Sequence, residues 1–129
     1  MAKTITGQVL VTSASVAAAG TSRAALDVSG ADGGEIRFAI TNGATGPTLQ
    51  CVASVLVARK QSSMPSAAAE GTGDDNWKRR YSVGGTVTAS TKTFGSFRFG
   101  PEVAYIQIEF TGHTGQAVTV ECTGDTYVY

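Results

Sequence analysis

At 129 residues, with ten basic and ten acidic side chains and a formal net charge of zero, the chain has room for one hydrophobic core. It lacks the basic excess that a general nucleic-acid binder needs. Charged residues make up only 16% and glycines number sixteen, a composition that suits short strands and tight turns rather than a helical bundle, and no apolar run approaches the ~18–20 residues of a membrane-spanning helix.

In chain order, Ile5–Val11 sets Ile5, Val9 and Val11 against Thr6 and Gln8. That two-residue period marks a strand, with Gly7 as a bulge or close-packing point. Val9–Gly20 (VLVTSASVAAAG) has the outline of a secretory signal, but Thr12, Ser13 and Ser15 interrupt its apolar run and only Lys3 precedes it. It reads as strand and loop, and the protein is expected to be made in a cytoplasm. Ser22–Val28 turns Ala24, Leu26 and Val28 inward and Arg23 and Asp27 outward, before the turn SGADGG. Glu35–Thr41 is a strand with Ile36, Phe38 and Ile40 inside, and NGATGP ends it.

Thr48–Arg59 (TLQCVASVLVAR) is apolar on both faces. Its valines and the proline-bearing turn before it favour a strand over a helix, one that is either central or packed at a subunit contact. Gln61–Asn76 is a long loop, with room for a short helix at Pro65–Glu70. Trp77–Val83 resumes as strand, with Trp77, Arg79, Tyr81 and Val83 on one face. Thr86–Thr93 is a polar strand, and Phe94–Phe99 brings Phe97 and Phe99 to the core. Val103–Phe110 alternates Ala104, Ile106, Ile108 and Phe110 against Gln107 and Glu109. After TGHTGQ, Val118, Val120 and Cys122 share a face, so these last two runs read as an antiparallel hairpin.

About eight short strands with turn signals every ~8–12 residues specify an all-β, single-domain antiparallel β-sandwich or jelly roll over residues 1–129, with a long loop at 61–76. The expected core joins Ile106, Ile108, Phe110, Val118 and Val120 to Ile36, Phe38, Ile40, Val55 and Val57.

Chemistry is sparse. His113 is the only histidine, and a Gly-flanked hairpin tip supports a catalytic imidazole poorly, so it reads as an exposed loop residue. No histidine or cysteine cluster is available for zinc, and neither phosphate-binding glycine motif occurs. Asp74-Asp75-Asn76 is an oxygen-rich patch without the spacing of a calcium loop. Glu102, Glu109 and Glu121 read as polar strand surface. Cys51 and Cys122 fall on apolar strand faces and are expected to be reduced core thiols. No catalytic, cofactor or metal residue is expected. Lys78-Arg79-Arg80 beside Trp77 and Tyr81 is the one basic–aromatic cluster, either a charged strand edge or a contact for a partner, phosphate or glycan.

The opening MAKTITGQVLVTSASVAAAG, the stretch NGATGPTLQCVASVLVARKQ and the run GSFRFGPEVAYIQIEFTGHTGQAVTVEC together resemble small virion proteins of tailed bacteriophages, of the jelly-roll or sandwich type that decorates or cements capsids. The resemblance implies a non-enzymatic protein of the virion, assembled in the host cytoplasm. It would bind the exterior of an assembled capsid and reinforce capsomer joints. Its partners would be the major capsid protein or other virion proteins and further copies of itself, as a dimer or trimer, with no nucleic acid, membrane or cofactor. The alternatives are a tail, baseplate or fibre adaptor or receptor-binding module, and a carbohydrate-binding sandwich using Trp77 and Tyr81 as a stacking platform. Val52, Leu56, Met64, Trp77, Arg79 and Tyr81 are the expected interface residues, and the loop 61–76 is expected to touch a neighbouring subunit.

Overall fold

The structure, a computed structural model, describes residues 2–59, 64–71 and 77–129. Its strands are β1 (Thr4–Val16), β2 (Ser22–Asp27), β3 (Gly33–Asn42), β4 (Val52–Ala58), β5 (Lys78–Gly84), β6 (Lys92–Phe99), β7 (Tyr105–Thr111) and β8 (Val118–Val128). They form two four-stranded sheets, a first sheet in the order β1-β8-β3-β6 and a second in the order β2-β7-β4-β5. Every paired neighbour is antiparallel.

The pairings nest: β1 with β8, β2 with β7, β3 with β6, β4 with β5. The chain is therefore one long doubled ribbon, rolled so that successive pairs fall on opposite sheets, which is the jelly-roll form of the β-sandwich. Only β4 and β5 are both consecutive and paired; every other connection crosses between the sheets. The hairpin expected from Val103–Phe110 and Val118–Cys122 is thus corrected. β7 lies in the second sheet and β8 in the first, facing each other across the core. Alternation fixes which face of a strand is buried, not whether the next strand lies beside it or opposite it.

All ten expected core residues lie between the sheets: Ile36, Phe38, Ile40, Val55, Val57, Ile106, Ile108, Phe110, Val118 and Val120. Cys51 and Cys122 are buried there as free thiols. Burial pushes Cys51 up to about 11 and Cys122 to about 12, because a thiolate loses its hydration in that apolar setting.

Several local expectations shift. Residues 65–70 are turn and irregular backbone rather than helix, and Thr86–Thr91 is loop, with β6 beginning at Lys92. Val103 packs into the core from the turn before β7. In β1 the register slips between Val9 and Val11 and again between Val11 and Ala14, so Gly7 pairs regularly with Asp125 and the irregularities lie further on. Leu10 and Val11 pack on the core, while Ile5 and Val9 point to solvent. A bulge adds one residue to the count and so exchanges the faces beyond it.

Candidate interaction surfaces

The second sheet carries a second apolar cluster on its outer face. Leu56 and Ala58 of β4 pack there with Trp77 and Ala68, and Met64 and Tyr105 lie against them. Leu56 is 3% exposed and Trp77 0%. The lid is the chain's own 64–71 segment, and β7 holds it through the buried amide of Gln107. Gln107 Nε2 donates to the Pro65 carbonyl, while the Ala68 N–H donates to Gln107 Oε1 at 2.8 Å. Gly71 N–H donates to the Trp77 carbonyl at 3.0 Å, bringing the far end of the loop back to the sheet. An amide satisfied at both ends by backbone is well suited to this position, because either half left unpaired under the lid would carry a desolvation penalty.

The expected interface residues are thereby dispersed. Leu56 and Trp77 are covered by their own chain, Met64 belongs to the lid, and Val52 is half-buried at the start of β4. Trp77 cannot act as a sugar-stacking platform while it is enclosed. Tyr81 is on the opposite side of the sheet, packed on the core with its ring 6.2 Å from Phe38 and 6.4 Å from Phe97. The cause is a bulge: Val55 pairs with Tyr81 but Leu56 with Arg79, which leaves Arg80 extra and reverses the faces. Arg79 remains exposed, 3.6 Å from Glu70. Asp74-Asp75-Asn76 and the parts of the expected loop at 61–63 and 72–76 lie outside the described residues.

One end of the sandwich is stitched together. It is formed by the β1–β2, β3–β4, β5–β6 and β7–β8 connections. His113 in the last of these is fully buried, not exposed as expected, and its Nε2 lies 2.8 Å from the Ala17 carbonyl and 3.1 Å from that of Val16. Two carbonyl acceptors on Nε2 require that nitrogen to carry the hydrogen. Ala19 N–H returns a bond to the His113 carbonyl at 2.9 Å. Thr48 N–H donates to the Thr114 carbonyl at 2.8 Å and Thr114 N–H to the Leu49 carbonyl at 3.3 Å, joining the β3–β4 and β7–β8 connections. The Asn42 amide faces the carbonyls of Gly85, Thr86 and Thr88 at 2.9–3.1 Å. Gly46 approaches the Val87 carbonyl so closely that a Cβ has no room. All three non-glycine residues with positive φ among the described residues, Ala19, Thr86 and Ser90, lie in these connections. Two apolar side chains stand out from this end, Leu49 at 59% and Val87 at 51% exposure.

The outer face of the first sheet has no lid among the described residues. Ile5, Val9 and Phe94 are 61%, 61% and 71% exposed. Val9 lies on edge strand β1 and Phe94 on edge strand β6, with a concavity of about 460 Å³ between them. Val11, Ala39, Glu121 and Thr123 contribute to its lining. Charges on this face are paired internally: Lys92 with Glu121 at 2.9 Å, Arg37 with Asp125 at 2.7 Å and with Glu35 at 3.1 Å, Arg98 with Glu35 at 3.2 Å. The bonds to Asp125 and then to Glu35 raise Arg37 above its ordinary pKa. Alternation grouped Val9 with Ile5 and Val11 on one face, which the register slip after Val9 divides, and it did not assign Phe94, since a polar-face position holding an apolar residue is ambiguous without the sheet around it.

No protein-family model and no curated protein sequence matches the chain. Solved structures do. The SPBc2 prophage-derived protein YomS is 13% identical, with a TM-score of 0.50 over 99% of this chain and 96% of its own. A chain of infectious bursal disease virus, Gx strain, is 10% identical, with a TM-score of 0.59 over 98% of this chain but only 32% of its own. The K3 cleaved adhesin domain of Lys-gingipain from Porphyromonas gingivalis W83 is 12% identical, with a TM-score of 0.53 over 88% of this chain and 73% of its own. At such identities the shared property is the fold: an eight-stranded β-sandwich of a kind also found in a prophage-derived protein and in a virus.

Proposed function

We propose that the protein is a non-enzymatic structural component of a tailed-phage virion, bound to the exterior of the assembled capsid and reinforcing the joints between capsomers. The observation that carries this reading is the stitched end. Four connections are hydrogen-bonded into one plate that holds Leu49 and Val87 out to solvent. A surface ordered before it meets its partner loses little conformational entropy on docking, which suits a protein whose task is to fasten. The near end-to-end match with a prophage-derived protein, 99% of one chain and 96% of the other, supports the phage setting.

Electron cryomicroscopy of virions carrying the protein tests the location: density is expected on the outer shell at capsomer boundaries, and density in a tail, baseplate or fibre would overturn the reading. In sedimentation with isolated shells, Leu49→Asp with Val87→Asp should abolish binding while the thermal transition stays in place.

A further inference from the structure

We infer that the open face of the first sheet is a self-association surface, on which a second copy of this chain inserts Phe94 beside Val9 and receives the same contact in return. A projecting ring and a hollow lie on the same face, Phe94 on β6 and the 460 Å³ concavity that runs to Val9, Thr12 and Ser13 on β1. A surface carrying both halves of a contact is self-complementary, the requirement for a two-fold interface.

The register fixes how two copies meet. For two sheets to face one another, the two-fold axis must lie in the plane of contact. Running it parallel to the strands, along the seam between β8 and β3, lays β6 of each copy over β1 of the other and β3 over β8. Phe94 is level with Ala39, and Ala39 with Glu121, which lies opposite the irregular Thr12–Ser13 stretch of β1. The ring therefore arrives over the hollow, one pleat from Val9. In the same arrangement Arg37 on β3 faces the strand that bears Glu121 and Asp125.

Charge selects a second copy as occupant. Lys92, Arg37 and Arg98 are matched on this face by Glu121, Asp125 and Glu35. The face thus presents no net charge of one sign to repel its own copy, and the two-fold lays Arg37 on β3 over β8 of the second copy, which bears Glu121 and Asp125. Area is sufficient. Four strands at ~4.8 Å spacing and about eight residues of length span roughly 500 Å² per copy, or about 1,000 Å² across a pair, the lower bound for a specific interface.

This inference shares with the proposed function only the premise that the protein works in an assembly, and its test needs no capsid. Sedimentation equilibrium on the isolated chain should give twice the 13.2 kDa mass at micromolar concentration. Phe94→Glu should weaken pairing at least about thirtyfold while leaving the thermal transition of the dilute protein unchanged. A monomer at all concentrations overturns the inference, as does a dimer indifferent to Phe94→Glu. Protection of this face only on intact shells would assign it to another virion protein and equally overturn it. Shell binding by a protein that does not pair leaves the proposed function standing, and pairing by a protein that ignores shells does the reverse.

Discussion

The two outer faces of this sandwich begin alike and end differently. Each has large apolar residues where a solvated sheet would place polar ones: Leu56, Ala58 and Tyr105 on the second sheet, Ile5, Val9 and Phe94 on the first. The second face is closed by residues 64–71 and Trp77, fastened by Gln107. The first stays open, its charges paired along the surface instead of over it. Apolar content alone therefore does not say that a face is for a partner. What decides is whether the chain has length to spare nearby, and the β4–β5 connection supplies it to one sheet only.

The largest break in this comparison should come from Leu56→Glu. Expected from sequence alone to prevent assembly in a folded monomer, it now places an unpaired carboxylate under the lid and should cost at least ~4 kcal/mol, measurable as loss of the cooperative transition in urea. Trp77→Ala should cost ~3–5 kcal/mol by emptying the same cluster. Gln107→Ala should cost ~1–3 kcal/mol, with hydrogen exchange at 64–71 accelerated far more than in β3 or β8, because the lid loses both its hydrogen bonds to the Gln107 amide. The shared core gives a control blind to either face. Both thiols titrate higher in the fold than the ordinary value of 9.0, at about 11 for Cys51 and about 12 for Cys122. The stability they contribute is complete below pH 9 and is lost as pH rises toward those values, since the unfolded chain releases its thiol protons first. Chemical denaturation between pH 8 and 11 should show that decline, shallower in Cys122→Ala. Smallest of all, Phe94→Ser in dilute solution should change monomer stability by less than ~0.5 kcal/mol.

Much of the fold was legible because burial between two sheets imposes a period of two. Ile36, Phe38 and Ile40, or Ile106, Ile108 and Phe110, announce their face without help from the rest of the chain. The failures share one physical origin. Wherever a residue is added, at Arg80 or within β1 after Val9, the period breaks and the faces exchange. Trp77 and Tyr81, grouped by spacing, consequently lie on opposite sides of the second sheet, and Ile5 and Val9 face out. His113 was misread for a different reason: flanking glycines marked a turn correctly, but a turn that crosses between sheets is pinned by its neighbours, whereas a hairpin tip is free. Gln107 gave no local signal. Its role depends on backbone groups about forty residues away along the chain, and only the closed loop brings them to it.

The nested pairing also orders the events by which the chain reaches this state. Val57 and Lys78 are joined across the shortest separation of any strand pair, whereas Thr4 and Val128 come from opposite ends of the sequence. Loop-closure entropy makes the outermost pairing dearer than the innermost by about 1.6 kcal/mol if nothing else has formed, and almost free once the inner pairs have drawn the ends together. Assembly from the β4–β5 ribbon outward is thus the least obstructed route, and a topology so dominated by distant partners belongs among slow folders, on the millisecond-to-second scale. On that route the first sheet is the last to be completed, because it waits for β8 and then β1. Until β1 arrives, the edge of β8 is unpaired, so the interval before closure is when this chain is most open to joining the wrong strand of another copy.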